Sequence, residues 1–112
     1  HSDAANGGDT EWVPTAKGVS VYTYLGQSKS DFFADILVKE IEKNMGHMTT
    51  IRKDTKDGDL DKEADFYVLR ETACPSFLIE AGFHTNEEEC KKMLTDEWKD
   101  ALFKSIVDAC KK

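Results

Sequence analysis

The chain has 112 residues and a net charge of −7 at neutral pH, with 22 acidic against 15 basic side chains. That length suits one small domain with a modest core, and the acidic balance argues against nucleic acid or an anionic membrane surface as a partner. No apolar run approaches the roughly 18 residues of a spanning helix, and the opening lacks the basic-then-apolar pattern of a signal peptide. Cys74, Cys90 and Cys110 are odd in number and show no Cys-x-x-Cys spacing. They point away from a zinc ribbon or a disulfide framework and read as small thiols without chemistry.

Residues 1–17 read as irregular. Asn6-Gly7-Gly8-Asp9 is turn chemistry, and Val13-Pro14 is an extended break. Val19 to Tyr24 alternates and is rich in β-branched residues, which predicts a strand. Ser28 with Asp31 predicts a helix start. Phe33, Leu37, Ile41 and Met45, with Phe32 and Ile36 alongside, give that helix an apolar face ending near Gly46. Asp35, Lys39, Glu42 and Lys43 form its solvated side.

His47 to Glu63 reads as a polar loop. Asp57-Gly58-Asp59-x-Asp61 faintly echoes a calcium loop, but the glycine is misplaced, no glutamate closes the loop and no helix leads in. Phe66 to Leu69 predicts a strand, Ala73-Cys74-Pro75 breaks it, and Ser76 to Ile79 predicts a second, buried strand. Glu80 ends that run just before a glycine. The carboxyl end of a buried strand is where open α/β sheets place reactive groups, and it is equally where a first solvated residue stands. Asn86 with Glu89 predicts a capped helix, with Glu87 and Glu88 at its positive end. Thr95 starts a last helix with Trp98, Ala101, Leu102, Ser105, Ile106 and Ala109 on its buried stripe. The order β–α–β–β–α–α is compatible with an α/β fold.

The residues carry a longer pattern. Phe66-Tyr67-Val68-Leu69-Arg70-x-Thr72-x-x-Pro75, an apolar strand, then Glu80-x-Gly82-Phe83-x-x-Asn86 resembles the carboxyl-terminal half of the zinc-dependent N-acetylmuramoyl-L-alanine amidases. His1-Ser2-Asp3-Ala4, Trp12 and Gly18-Val19-Ser20-Val21-Tyr22-Thr23 are similar to the middle of the same family, so the likeness covers almost the whole chain. It implies a three-layer α/β/α fold around a twisted, largely parallel sheet, of which this chain is the carboxyl-terminal part. It also implies Zn2+ as cofactor and peptidoglycan as partner, in the cell wall or another extracytoplasmic place. By this resemblance Glu80 is the catalytic carboxylate beside the metal and His1 is a metal ligand. Without the family pattern, His1 reads as a tag remnant.

Asp3, standing where many relatives carry asparagine, and Arg70 are implied near the substrate. Arg52 or Arg70 could hold stem-peptide carboxylates through forked hydrogen bonds, though each also reads as a surface arginine. A further histidine and glutamate ligand, with the first strands of the sheet, are expected upstream of residue 1. His47 and His84 are substitutes of the right chemistry, but each reads first as a surface residue. The fragment is therefore expected to be inactive alone, and to associate with the amino-terminal half or a second copy, because a partial sheet exposes an edge. Two other readings remain: a non-catalytic muropeptide-binding module and a metal-dependent peptidase of related architecture.

Overall fold

The structure, a computed structural model, describes residues 1–5, 11–26, 28–53 and 61–112. The expected turn at Asn6–Asp9 and the acidic residues Asp54, Asp57 and Asp59 lie outside that set. The elements run β1 (Ser20–Thr23), α1 (Lys29–Met45), β2 (Lys62–Glu63), α2 (Tyr67–Arg70), β3 (Leu78–Glu80), α3 (Glu87–Met93) and α4 (Asp96–Cys110).

The alternation of β1 decides how the layers meet. Val19 and Val21 point into the core with Ile79 of β3, against Leu37, Ile41 and Met45 of α1 and Trp98 of α4. Each such side chain, once buried, contributes about 1.5–3 kcal/mol. Ser20 and Tyr22 point the other way and stand opposite Glu80 and Leu78. Helices α1 and α4 thus cover one sheet face, joined also by a hydrogen bond from Asn44 Nδ2 to Ser105 Oγ (3.0 Å). Helix α1 begins as the sequence predicts: Ser28 Oγ accepts from Ser30 N, and Asp31 Oδ2 accepts from Ser28 N at 2.7 Å. Ser28→Ala is expected to cost about 1 kcal/mol, read as a lowered urea midpoint with an unchanged m-value.

The strand order is β2-β1-β3, with β1–β2 parallel and β1–β3 antiparallel. The α/β class holds, and the sheet is mixed rather than largely parallel within the described residues. Several local expectations change. Phe66 to Leu69 is not a strand: Phe66 caps a single helical turn, Tyr67–Arg70. A buried strand needs apolar contact on both faces, whereas here Leu69 alone is buried and Tyr67 is 74% exposed. The 47–63 segment is not wholly loop, because Lys62–Glu63 pairs with β1 and Ile51 bridges Val19. Phe32 is 75% exposed, outside the buried face of α1, while Val38 joins it. The second strand begins two residues later than expected and includes Glu80.

Candidate active site

Glu80 is the last residue of β3, and its neighbours are set by main-chain register. On one side it stands directly opposite Ser20 of β1. On the other lies the segment His1–Asp3. The amino group of His1 donates to Ile79 O (3.0 Å), and Ala81 N donates to His1 O (2.7 Å). Those two bonds flank residue 80 in the pattern of a parallel pair, so His1 lies beside Glu80. Two residues on, Asp3 bridges Phe83, with Asp3 N bonded to Gly82 O (2.7 Å) and His84 N to Asp3 O (2.9 Å). Ser2 therefore faces two residues, Ala81 and Gly82. This is a β-bulge, the device that re-aims side chains at strand ends.

The bulge is held from below. Trp98 Nε1 donates to Ala81 O (3.1 Å). Gly82 has φ +129°, and a Cβ there would lie 2.8 Å from Met93 Sδ and 3.1 Å from Trp98 Cζ2. Both backbone and space therefore require glycine. Gly82→Ala is expected to destabilise by about 1–3 kcal/mol, seen as a lowered thermal midpoint.

Residues paired across adjacent strands project to the same face, so Ser20, Glu80 and His1 form one row across three strands. Burial falls along the row: Ser20 is buried, Glu80 half-buried and His1 exposed. Glu80 Oε2 is itself buried and has no hydrogen-bond partner among the described residues. Burial raises the Glu80 pKa above the usual carboxylate range, and the nearby charge of Asp3 adds to the rise. The terminal ammonium and His84 oppose it. A carboxylate with a spare oxygen and a raised proton affinity is suited to accepting and returning a proton.

The other sequence candidates are placed as follows. Asp3 shares the field of Glu80, and its own Oδ1 accepts from Ala4 N (2.9 Å). Arg70 lies on α2, where it makes local ion pairs with Asp65 (2.8 Å) and Glu71 (2.9 Å) rather than reaching Glu80. Arg52 stacks over the Phe83 ring, 4.9 Å from its centroid. His84 Nδ1 is 3.0 Å from Ser2 Oγ, and His47 is an exposed residue 3.9 Å from Glu97. A cleft of about 510 Å3, bordered by Trp12, Lys17, His47, Thr49 and Asn86, does not include Glu80.

Zinc needs three protein donors with a fourth position open. Among the described residues no group of three histidine, cysteine, aspartate or glutamate side chains is arranged to hold a metal ion. His1 and Glu80 give two groups of suitable chemistry on one face, which falls short of a complete site.

Sequence reasoning missed two residues. Ser20 looked like an ordinary polar position in an alternating strand, and its pairing with Glu80 depends on the β1–β3 register. Glu89 was expected to close a capping box with Asn86. The Asn86 side chain does accept from Glu89 N (3.0 Å), but the Glu89 carboxylate turns away. It accepts from Gly18 N (2.9 and 3.1 Å), Phe83 N (2.8 Å) and the Thr49 hydroxyl. It thereby ties the loop after the bulge to the entry of β1.

Known proteins share this fold. The profile of the N-acetylmuramoyl-L-alanine amidase family matches residues 1–112. The N-acetylmuramoyl-L-alanine amidase from Clostridium difficile 630 superposes with a TM-score of 0.80 at 26% identity, over 98% of this chain and 52% of that one. An N-acetylmuramoyl-L-alanine amidase of Nostoc punctiforme has the same fold, with a TM-score of 0.75 at 24% identity over 97% of this chain and 52% of that one. A cell wall amidase of Bacillus anthracis is 30% identical over 116 residues, covering 96% of this chain and 20% of that protein. The chain thus spans about half the length of the two solved structures and a fifth of the curated relative. On the family match across residues 1–112, the chain belongs to the N-acetylmuramoyl-L-alanine amidase family.

Proposed function

We propose that this chain is the carboxyl-terminal part of a zinc-dependent amidase domain that cuts peptidoglycan between N-acetylmuramic acid and the L-alanine of the stem peptide. The observation that carries this reading is the Glu80 carboxylate, half-buried, with an unpaired oxygen and a raised proton affinity, set in register beside His1. In this reading Glu80 takes the proton of the attacking water and delivers it to the leaving L-alanine amine. His1 is one metal ligand, and the remaining donors come from outside these 112 residues. Zinc, when bound, would polarise the scissile carbonyl and acidify water. Asp3 borders the reacting groups, and Arg70 stands ready to exchange a local carboxylate for one on the stem peptide.

The rest of the domain would add at the edge formed by residues 1–3. Hydrogen bonds from His1 and Asp3 face β3, while the backbone N–H and C=O of Ser2 take no main-chain partner among the described residues. Beside that edge lies an apolar cleft of about 320 Å3 bordered by Ala81, Met93, Trp98, Leu102 and Ile106, with Phe103 68% exposed at its rim. An open strand edge next to exposed apolar area calls for cover. The cell wall or another extracytoplasmic location follows from the substrate. No described helix is long and apolar enough to cross a membrane.

The test is a digest of purified peptidoglycan by the full-length enzyme, with the new termini identified by mass spectrometry. Free L-alanine amines and lactyl carboxyls support the reading. Cuts inside the peptides would favour a peptidase, and retention on the wall without new termini would favour a binding module. The 112-residue chain alone is expected to release no stem peptide.

A further inference from the structure

We propose that Ser20 is a positioning residue for Glu80, holding its carboxylate by a hydroxyl hydrogen bond during proton transfer. This rests on the amidase reading above. Ser20 and Glu80 are directly opposed in the antiparallel β1–β3 pair, so their side chains leave the same sheet face with Cβ atoms about 5 Å apart. Ser20 is 1% exposed, and its Oγ has no hydrogen-bond partner among the described residues. On the residue opposite, the buried Oε2 of Glu80 has none either.

A buried hydroxyl left unpaired costs stability, and an apolar replacement of the same shape does not. Core packing does not ask for serine here, because the residues that face the core are its neighbours Val19 and Val21. A donor and an acceptor are each left open on directly opposed residues. That arrangement suits an interaction made when the carboxylate is ionised in the working site. Ser20 then donates its hydroxyl hydrogen to Oε2 and leaves Oε1 to meet the water proton. Ser20 gains and loses no proton. The transferred proton passes from water to Glu80 and on to the leaving amine. On the opposite side of Glu80, the bulge pinned by Trp98 fixes the main chain, so the two sides hold backbone and carboxylate separately.

The experiment compares Ser20→Ala, Ser20→Thr, Glu80→Gln and the Ser20→Ala/Glu80→Gln double variant in the full-length enzyme. The readouts are kcat and KM on peptidoglycan, metal content and thermal midpoint. Ser20→Ala is expected to lower kcat about tenfold, the scale of one hydrogen bond to a charged group. KM should stay within about twofold, with metal content unchanged and a thermal midpoint equal to or above wild type. Ser20→Thr, which keeps the hydroxyl and suits a strand, should recover most of the loss. On the Glu80→Gln background, Ser20→Ala should add nothing, because the interaction it removes is already gone. Wild-type kcat in Ser20→Ala overturns the proposal. So does a kcat loss matched by a fall in thermal midpoint, or a loss that multiplies with that of Glu80→Gln. A wild-type enzyme that frees no L-alanine amine overturns the amidase reading and this inference with it. An active wild type with an indifferent Ser20→Ala removes this inference alone.

Discussion

With Glu80 in the acid–base role proposed above, Glu80→Gln in the full-length enzyme is expected to lower kcat by about 10²–10⁴-fold, the usual contribution of a positioned acid–base group, while the protein stays folded. Glutamine keeps the shape of the side chain and its place at the end of β3 but cannot carry the proton. The stability effect has the opposite sign to the activity effect. Burial, followed by the charge of Asp3, raises the Glu80 pKa in the folded state, so the native protein holds this proton more tightly than the unfolded chain. Stability from this residue is fully present below the ordinary carboxylate pKa and is lost as pH rises through the raised native value. Above the ordinary carboxylate pKa, ionisation favours the unfolded chain, a cost that the glutamine variant lacks. Glu80→Gln should therefore unfold at or above the wild-type temperature at pH 7 in metal-free protein. The difference should vanish on acidification below about pH 4. Equal melting curves at every pH would show that Glu80 is as solvated in the native state as in the unfolded one.

Glu89→Ala is expected to produce a large loss of stability, about 2–6 kcal/mol, from two buried N–H donors stripped of their acceptor at about 1–3 kcal/mol each. Those donors are Gly18 N and Phe83 N, and the Thr49 hydroxyl loses its partner with them. Glu89 itself is 4% exposed, so water cannot readily take over, and the vacated volume adds to the cost. Against a domain stability of roughly 5–15 kcal/mol the change is substantial. It should appear as a lower urea midpoint with the m-value unchanged. Glu89→Gln keeps the size but turns an NH2 group towards N–H and O–H donors, so it should rescue only part of the loss. Phe83 directly follows the bulge, and the loosening should therefore also reduce activity beyond the fraction of unfolded protein.

What the sequence alone determined was local or carried by an ordered motif. The α1 start needs only Ser28 and Asp31 three residues apart, and a helix places them together wherever it stands. The buried face of α1, the β1 strand and the start of α4 at Thr95 follow from periodicity and capping in the same way. Glu80 as a strand end, Gly82 as a positive-φ glycine and Asn86 as a helix cap stood out because the motif that carries them is long and its order is unusual. The tertiary structure alone decided partner choice. Phe66–Leu69 has strand composition, yet no strand pairs with it and Leu69 alone reaches the core, so it closes a helical turn. Lys62–Glu63, polar and only two residues long, becomes a strand because β1 offers it hydrogen bonds. The carboxylate of Glu89 left its predicted cap because stronger demand came from Gly18, 71 residues away in sequence. The row Ser20–Glu80–His1 exists through register across three strands. Pairing energies depend on groups far apart along the chain, so no local pattern in the sequence encodes them.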